Sequence, residues 1–584
     1  RKDESWDMKR LARFLKKYRF QVIAGPVFKL IEAIFELIVP LVMADMIDVG
    51  VAQGNIQYIW QRGGVLLLLG VVGLASSLTC QTLASRASQG VGTDLRRELF
   101  HHINTLSYRE LDHFGTPSLI TRMTGDINQM QTAVAMLIRL VVRAPFLVIG
   151  AVVMAMRIDL ELSLVFLAIV PMLSAALYIV MSRSVPFYRL IQRKLDRVSL
   201  ITRENLSGAR VVRAFRKQAE EEKRFEGACS DLAENAIHIG KLSAVLSPFS
   251  FIVMNIGMIA ILWFGGMRVN VGSLTQGEVV AFINYMTQIL IALVVVANLV
   301  VIFTKAAASA ARINEVFDTQ PSIVEQTQIQ AKPVAGAPKV SFQDVNFRYY
   351  EGAALALKEV SMDIPAGSLI GVIGGTGSGK STLVSMIPRL YDVSAGRVLL
   401  EGVDVRDYPL EQLHGKVGMV PQGNLLFSGT IRENLRWRKP DATDAELWDA
   451  LKDAQAEAFV SALPDGLDSR VEQGGKNFSG GQQQRLTIAR ALVGNPEILI
   501  LDDCSSALDY ATDAALRKSL RRRAEHATVF MVSQRVSTVR GCDRILVMED
   551  GEVVGSGTHA QLLESCPTYQ EICMSQMNAE EAGA

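Results

Sequence analysis

Ile498–Asp509 reads ILILDDCSSALD. Four apolar residues run straight into Asp502, the pattern of a short buried strand that delivers one carboxylate to its C-terminal edge. Upstream, Gly374–Ser381 reads GGTGSGKS and fits G-x-x-x-x-G-K-[ST]. In such a loop Gly374, Gly375, Gly377 and Gly379 let the backbone amides, those of Thr376 and Ser378 included, wrap phosphates. Lys380 reaches the terminal phosphates and the Ser381 hydroxyl ligates Mg²⁺. The context fits too: Ser368–Ile373 is an apolar strand before the loop, and a helix is expected over Thr382–Leu390 after it. Between the two stretches lies FSGGQQQR, Phe478–Arg485.

Outward from these motifs, the 584-residue chain is too long for one core and is expected to form at least two domains. It is 49% hydrophobic and 20% charged, with a mean hydropathy of +0.23. That is too apolar for an ordinary soluble protein. A net charge of +1 leaves no basic excess for phosphate neutralisation, so no nucleic-acid partner is expected. The six cysteines lack C-x-x-C spacing and read as reduced, structural residues. The first residue is Arg1, so the natural chain is expected to start upstream.

Residues 1–19 read as an interfacial helix, with Trp6, Leu11, Phe14, Leu15 and Tyr18 on one face and Lys9, Arg10, Arg13, Lys16 and Lys17 around it. Six apolar stretches follow within 20–318, each near the ~20 residues a bilayer core requires. They run about Phe20–Ile47, Gly63–Leu83, Val134–Met156, Leu160–Met181, Ser243–Met267 and Val279–Thr304. The second and fourth gaps are long, polar and helical in pattern, and they carry most of the arginines, among them Arg193, Arg203, Arg210 and Arg213. The positive-inside bias therefore places both long gaps and both termini in the cytoplasm. Lys29, Glu32 and Glu36 share one face of the first span; they either line a cargo cavity or pair to pack helices. Arg139 and Arg143 precede Pro145 and are expected near the inner leaflet. Residues 319–339 lose periodicity and form a linker. From 340 to 584 short strands alternate with helices, which predicts an α/β domain with a largely parallel sheet.

The order phosphate loop, then SGGQ, then apolar strand with Asp resembles an ATP-binding cassette. Three further stretches fit the same family: VPQGNLLF at Val420–Phe427, NFSGGQ at Asn477–Gln482 with Phe in place of the usual Leu, and SALD at Ser506–Asp509. In the first half, LSYRELDHFGTPSLITRMTGD at Leu106–Asp126 and ENLSGARVVRAFRKQ within Val198–Phe225 are similar to intracellular loops with coupling helices. The whole chain resembles one half of a bacterial heterodimeric multidrug-type ABC exporter. The resemblance implies an all-α six-helix transmembrane domain followed by an α/β P-loop cassette, with ATP and Mg²⁺ as cofactors. It implies a translocase of the cell membrane that moves small hydrophobic substrates across the lipid bilayer. It further assigns Tyr349 to adenine stacking in preference to Tyr350, Gln422 to Mg²⁺ or the attacking water, and Asp502 to Mg²⁺. Thr382 completes the phosphate loop, and Ser479, Gly480, Gly481 and Gln482 dock on ATP held by a second cassette.

Two residues depart from the family pattern. Asp503 stands where a catalytic Glu is usual, and Gln534, in VSQRVST, where a switch His is usual. Losing one methylene draws the carboxylate back by roughly 1.5 Å, and errors near ~1 Å can cost ~10²-fold in rate. Gln still hydrogen-bonds a phosphate but does not titrate. Together they lead us to expect slow hydrolysis at this chain's own site. A partner subunit is then expected to supply Glu, His and an altered signature, while SGGQ here serves the partner's ATP. A slow homodimeric exporter of lipid or peptide, and a non-pumping ATP-gated subunit, are the alternatives.

Overall fold

The computed structural model describes residues 11–324, 332–505 and 507–581. Trp6, Lys9 and Arg10 of the expected interfacial helix, residues 325–331 of the linker and Ser506 of SALD lie outside the described residues. The chain forms two compact units, Arg1–Asn104 with Thr116–Thr319, and Thr105–Gly115 with Gln320–Ala584.

In the first unit all six apolar stretches sit on long helices. They are Arg19–Asp45, Ile56–Thr105, Ile127–Ile158 (with a π-helical turn at Leu137–Val141), Leu160–Ser207, Gln218–Val271 and Gln276–Asp318. The second helix has 50 residues and the fifth 54. At ~1.5 Å per residue such helices far exceed a ~30 Å bilayer core, so the polar gaps are continuations of the spans. Among the described residues four segments are apolar and long enough to cross a membrane: Ile56–Thr105, Thr116–Ile158, Pro248–Val271 and Gln276–Asp318. Charges at Lys29, Glu32 and Glu36 interrupt the first helix, and the fourth carries a shorter apolar run, Leu160–Ala176.

Small residues let these helices approach closely: Ala33, Ala151, Ala155 and Ala281 are fully buried. Phe166 stacks on Phe282 with centroids 5.7 Å apart, and the Tyr285 hydroxyl donates to the Leu37 carbonyl at 2.7 Å. The first-span charges are absorbed by packing. Lys29 Nζ pairs with Glu32 at 2.6 Å and donates to Ser77 Oγ at 3.2 Å. Glu36 pairs with Arg143 at 2.6 Å. The residues before the first span form a 3₁₀ helix, Ala12–Tyr18, where an α-helix was expected. Two of its cations are committed to the second long helix: Arg13 pairs with Glu98, and Lys17 with Asp94 at 3.0 Å.

The second unit holds a four-stranded antiparallel sheet, a six-stranded sheet and a two-stranded antiparallel sheet of β7 Gly429–Thr430 with β8 Arg470–Val471. The first has the order β2-β1-β4-β5, with β1 Val340–Phe347, β2 Leu357–Ile364, β4 Ala395–Leu400 and β5 Val403–Asp404. The strand that holds Val345 is interior to this sheet, and Tyr349 lies just past its end. The second sheet has the order β12-β11-β3-β10-β9-β6. Its strands are β3 Leu369–Gly374, β6 Val417–Val420, β9 Ile498–Asp502, β10 Thr528–Val532, β11 Arg544–Glu549 and β12 Glu552–Gly557. All neighbours pair parallel except β11 with β12.

The period of two along β9 explains the run ILILD. Leu499 and Leu501 join one core, and Ile498 and Ile500 the other. Asp502 continues the second set, on the face that also buries Leu383 and Val384 just after the phosphate loop. The helix expected over Thr382–Leu390 is helical only over Lys380–Ser385. Pro388 lacks the N–H that another turn would need.

Candidate nucleotide site

The loop from β3 into the helix at Lys380 is shaped by its glycines. Gly377 has φ +83° and Gly379 φ +98°, and a Cβ on Gly379 would lie 2.7 Å from the Ala356 carbonyl oxygen. A side chain there is excluded on both counts. Gly375, Thr376 and Gly377 are exposed at the rim, whereas Ser378, Lys380 and Thr382 are buried. Lys380 Nζ donates to the carbonyl oxygens of Gly374 at 3.0 Å and Gly375 at 2.6 Å, so its ammonium lies inside the loop. Burial pushes the Lys380 pKa below its ordinary value, against the pull of Asp502 and Asp503.

Asp502, 4% exposed, accepts a hydrogen bond from Ser381 Oγ at 3.0 Å. Burial pushes its carboxyl above the usual range, opposed by that hydrogen bond. Burial outweighs the attraction between these groups, so phosphates near Lys380 and a hard divalent cation near Asp502 would each favour the charged form. Ser381 and Asp502 offer adjacent oxygen donors suited to Mg²⁺, and among the described residues no three His, Cys, Asp or Glu form a cage. That is the donor set of a site in which phosphates complete the shell.

Asp503 follows β9 with φ +51°. This left-handed conformation costs Asp less than most residues. Its amide donates to the Val532 carbonyl at 3.0 Å, which ties it to the end of β10. Two residues past β10, Gln534 Oε1 accepts from Thr376 Oγ1 at 3.4 Å, so this side chain rests against the phosphate loop. Gln422 lies two residues beyond β6, at the same edge of the sheet, and is exposed. Tyr349 donates to or accepts from Thr382 Oγ1 at 2.8 Å. Its ring stands edge-on to Phe347 and Tyr391, at 4.9 and 5.4 Å. A cavity of about 510 Å³, lined by Arg109, Glu110, Asp112, His113, Tyr349 and Tyr350, opens beside it.

The signature residues stand apart from this group. Ser479 caps the helix Gly480–Leu492: its Oγ accepts from the Gln482 amide at 3.3 Å, while Gln482 Oε1 accepts from the Ser479 amide at 2.9 Å. Ser479 and Gly480 are exposed. Among the described residues no hydrogen bond joins them to the phosphate loop. The same helix instead holds the segment after β9. Gln484 Oε1 accepts from the Ala507 amide at 3.1 Å, and its Nε2 reaches the Asp503 carbonyl at 3.4 Å.

Sequence reasoning missed three residues. Gln484, the third Gln of SGGQQQR, was passed over as part of a motif. Tyr391 carries no motif of its own. Its hydroxyl donates to Asp112 Oδ2 at 2.9 Å, one of the contacts that place the short helix Tyr108–Phe114 in the second compact unit. The third, Gln576, was legible only through its helical spacing from Tyr569 and Cys573.

A phosphate loop, an Asp at the end of a buried strand two places away in the same sheet and a capped SGGQ helix, following long apolar helices in the chain, define a membrane-embedded P-loop ATPase. Family models agree. That for the ABC transporter transmembrane region matches residues 22–294, and that for the ABC transporter matches residues 357–506. An uncharacterized ABC transporter ATP-binding protein of Mycobacterium tuberculosis is 39% identical, with 98% of this chain and 99% of the relative covered. An ATP-dependent lipid A-core flippase of Chromohalobacter salexigens is 31% identical, with 99% of each covered. A solved bacterial Atm1-family ABC exporter with ATP bound superposes with a TM-score of 0.78 at 24% identity, over 96% of this chain and 98% of that one. This chain belongs to the ABC transporter family, and it is an exporter-type translocase with its transmembrane domain fused ahead of its ATPase domain.

Proposed function

We propose that the protein is one subunit of a heterodimeric ABC exporter of the cell membrane that expels hydrophobic or amphipathic compounds, drug-like molecules among them. In this reading both termini and the ATPase domain, residues 340–584, are cytoplasmic, and residues 20–318 form the transmembrane domain. The similarity to a lipid A-core flippase supports an amphipathic cargo. The observation that carries the asymmetry is the contrast inside one site. Lys380, Ser381 and Asp502 are assembled to bind Mg·ATP, while Asp503 and Gln534 flank the loop where a longer carboxylate and a His would favour hydrolysis.

Gly374–Thr382 cradle the phosphates, Tyr349 stacks on adenine, and Gln422 faces the metal and water. Asp503 and Gln534 support hydrolysis weakly, so ATP is retained and holds the cassettes together. Mg²⁺, held by Ser381 and Asp502, supplies charge neutralisation to the phosphates. Ser479, Gly480, Gly481 and Gln482 complete the partner's ATP site, where the partner brings Glu and His. ATP binding draws the cassettes together and opens the helices outward; hydrolysis at the partner's site resets them.

The test is the intact mass of the complex purified through a tag on this chain from its native cells. A second polypeptide of similar mass at one-to-one, carrying Glu, His and an altered signature, is expected. A complex of this chain alone would overturn the asymmetry and leave Asp503 and Gln534 to serve both sites.

A further inference from the structure

The helix Pro567–Glu581 ends the described chain. Tyr569, Cys573 and Gln576 recur at the spacing that lines one helical face. Tyr569 and Cys573 are buried in the core beside the six-stranded sheet, and Ile572 packs against that core. Gln576 occupies the next position along this face and does not pack as they do. Its Oε1 accepts from the Val536 amide at 2.8 Å, and its Nε2 donates to the Gln534 carbonyl at 2.7 Å. One side-chain amide thus brackets Arg535 and satisfies both backbone groups on either side of it.

The carbonyls of Arg535 and Val536 are taken up by the short helix that follows, so the Gln534 carbonyl and the Val536 amide are the groups left for Gln576. Ser533 is fixed to β3 by its amide, which donates to the Val372 carbonyl at 3.0 Å, and Ser533 Oγ accepts from the Arg535 amide at 3.1 Å. Gln534 itself bears the side chain that rests on Thr376 of the phosphate loop. A change of backbone angle at 534 swings that side chain on or off the loop.

We propose that Gln576 is a positioning residue of the ATP site. It clamps the 534–536 turn so that Gln534 meets the terminal phosphate, and it makes docking of the C-terminal helix a condition of nucleotide discrimination. This rests on the proposed role of Gln534 and adds a residue 42 positions away. Because Gln534 lies at the rim of the phosphate loop, loss of the clamp weakens binding of ATP and leaves ADP untouched. Loss of fold would weaken both.

The experiment uses the full-length protein in the complex isolated from cells, labelled with Mg²⁺ and 8-azido-ATP or 8-azido-ADP over a concentration series. Gln576→Met keeps the side-chain length and removes both hydrogen bonds. It is expected to raise half-saturation for the ATP analogue about fivefold, the effect of losing roughly one neutral hydrogen bond, with the ADP analogue unchanged. Gln576→Glu keeps the acceptor for the Val536 amide and is expected to recover part of the loss. In a Gln534→Ala background Gln576→Met should add nothing further, because the two residues act in series. Ile572→Ala, which loosens the same helix without touching the turn, should lower the thermal midpoint and preserve the ratio of ATP to ADP affinity.

Equal weakening of ATP and ADP by Gln576→Met would overturn the proposal, as would an unchanged ratio in a variant of native thermal midpoint. A Lys380→Ala control separates this failure from a deeper one. If Lys380→Ala still labels at wild-type level, the assignment of the nucleotide site fails instead.

Discussion

The phosphate loop and the signature turn are both phosphate-binding motifs, yet they are finished to different degrees. The loop is closed on itself: Lys380 is buried against the Gly374 and Gly375 carbonyls, and Ser381 meets Asp502. The signature turn satisfies its own caps and leaves Ser479 and Gly480 facing solvent. A motif whose internal hydrogen bonds are complete but whose working face is bare is half of a site. The difference explains why one chain reads as degenerate at Asp503 and Gln534 and intact at SGGQ without contradiction. On the proposed reading, the two motifs serve different ATP molecules.

The sharpest way to break that comparison is Ser479→Arg. The exposed position accommodates the side chain, and loss of the cap costs the fold only about 1 kcal/mol. Turnover by the assembled transporter should nevertheless fall by ~10²-fold or more, as expected when phosphate-binding donors are displaced from a transition state. Asp503→Ala should change the same steady-state rate by less than about threefold. The reverse ranking would place hydrolysis in this chain's own site. Restoring the family residues, Asp503→Glu with Gln534→His, should raise ATP turnover by up to about twofold if a second site becomes competent, and retained ATP should then be lost from this chain. No gain would mean that other residues silence the site.

Asp502→Asn has a smaller and two-signed effect. Burial holds this carboxyl above its ordinary pKa, so ionisation disfavours the folded state as pH rises through the unfolded value. The nucleotide-free variant should therefore be as stable as the native protein at pH 7, or more so by about 1 kcal/mol. The added stabilisation that Mg·ATP gives over ATP with chelator should vanish. In the native protein that Mg²⁺-dependent increment should fade, on acidification, at a higher pH than an exposed Asp would show. Thermal melts across pH, with and without Mg²⁺, measure both.

Much of this was legible in the sequence because the responsible forces are local. ILILD names a strand buried on two faces, and the alternation of Leu499 and Leu501 with Ile498 and Ile500 between two cores is that reading made physical. Six apolar runs with uneven gaps became helices of up to 54 residues. What stayed hidden depends on long-range pairing. The partners of Lys29 and Glu36 are Glu32, Ser77 and Arg143, the last 107 positions from Glu36. The antiparallel sheet left no signal in a stretch whose strands resemble any others. Tyr391 and Gln576 are single residues without a motif, and only the packing of distant segments gives them work.

The smallest expected effect tests the short segment that packs with the second unit although it lies between the long helices in sequence. Tyr108–Phe114 joins the second unit through Tyr391, whose hydroxyl reaches Asp112 at 2.9 Å and whose ring lies 6.1 Å from that of Tyr108. Ser107 and Glu110 add hydrogen bonds to Ile323 and Ser322, so the contact has several independent supports. Tyr391→Phe removes one charge-assisted hydrogen bond and keeps the ring, a loss of about 1.5 kcal/mol at most. Amide exchange over residues 105–115 should quicken by about tenfold or less, with ATP affinity within about twofold of native because Tyr349 keeps its bond to Thr382. If exchange stays unchanged, Ser107 and Glu110 carry the attachment, and the line between the two units is drawn by the residues after 319 and not by the tyrosine. If ATP affinity falls with it, the edge-on packing of Tyr391 against Tyr349 already links this short helix to the adenine side of the site.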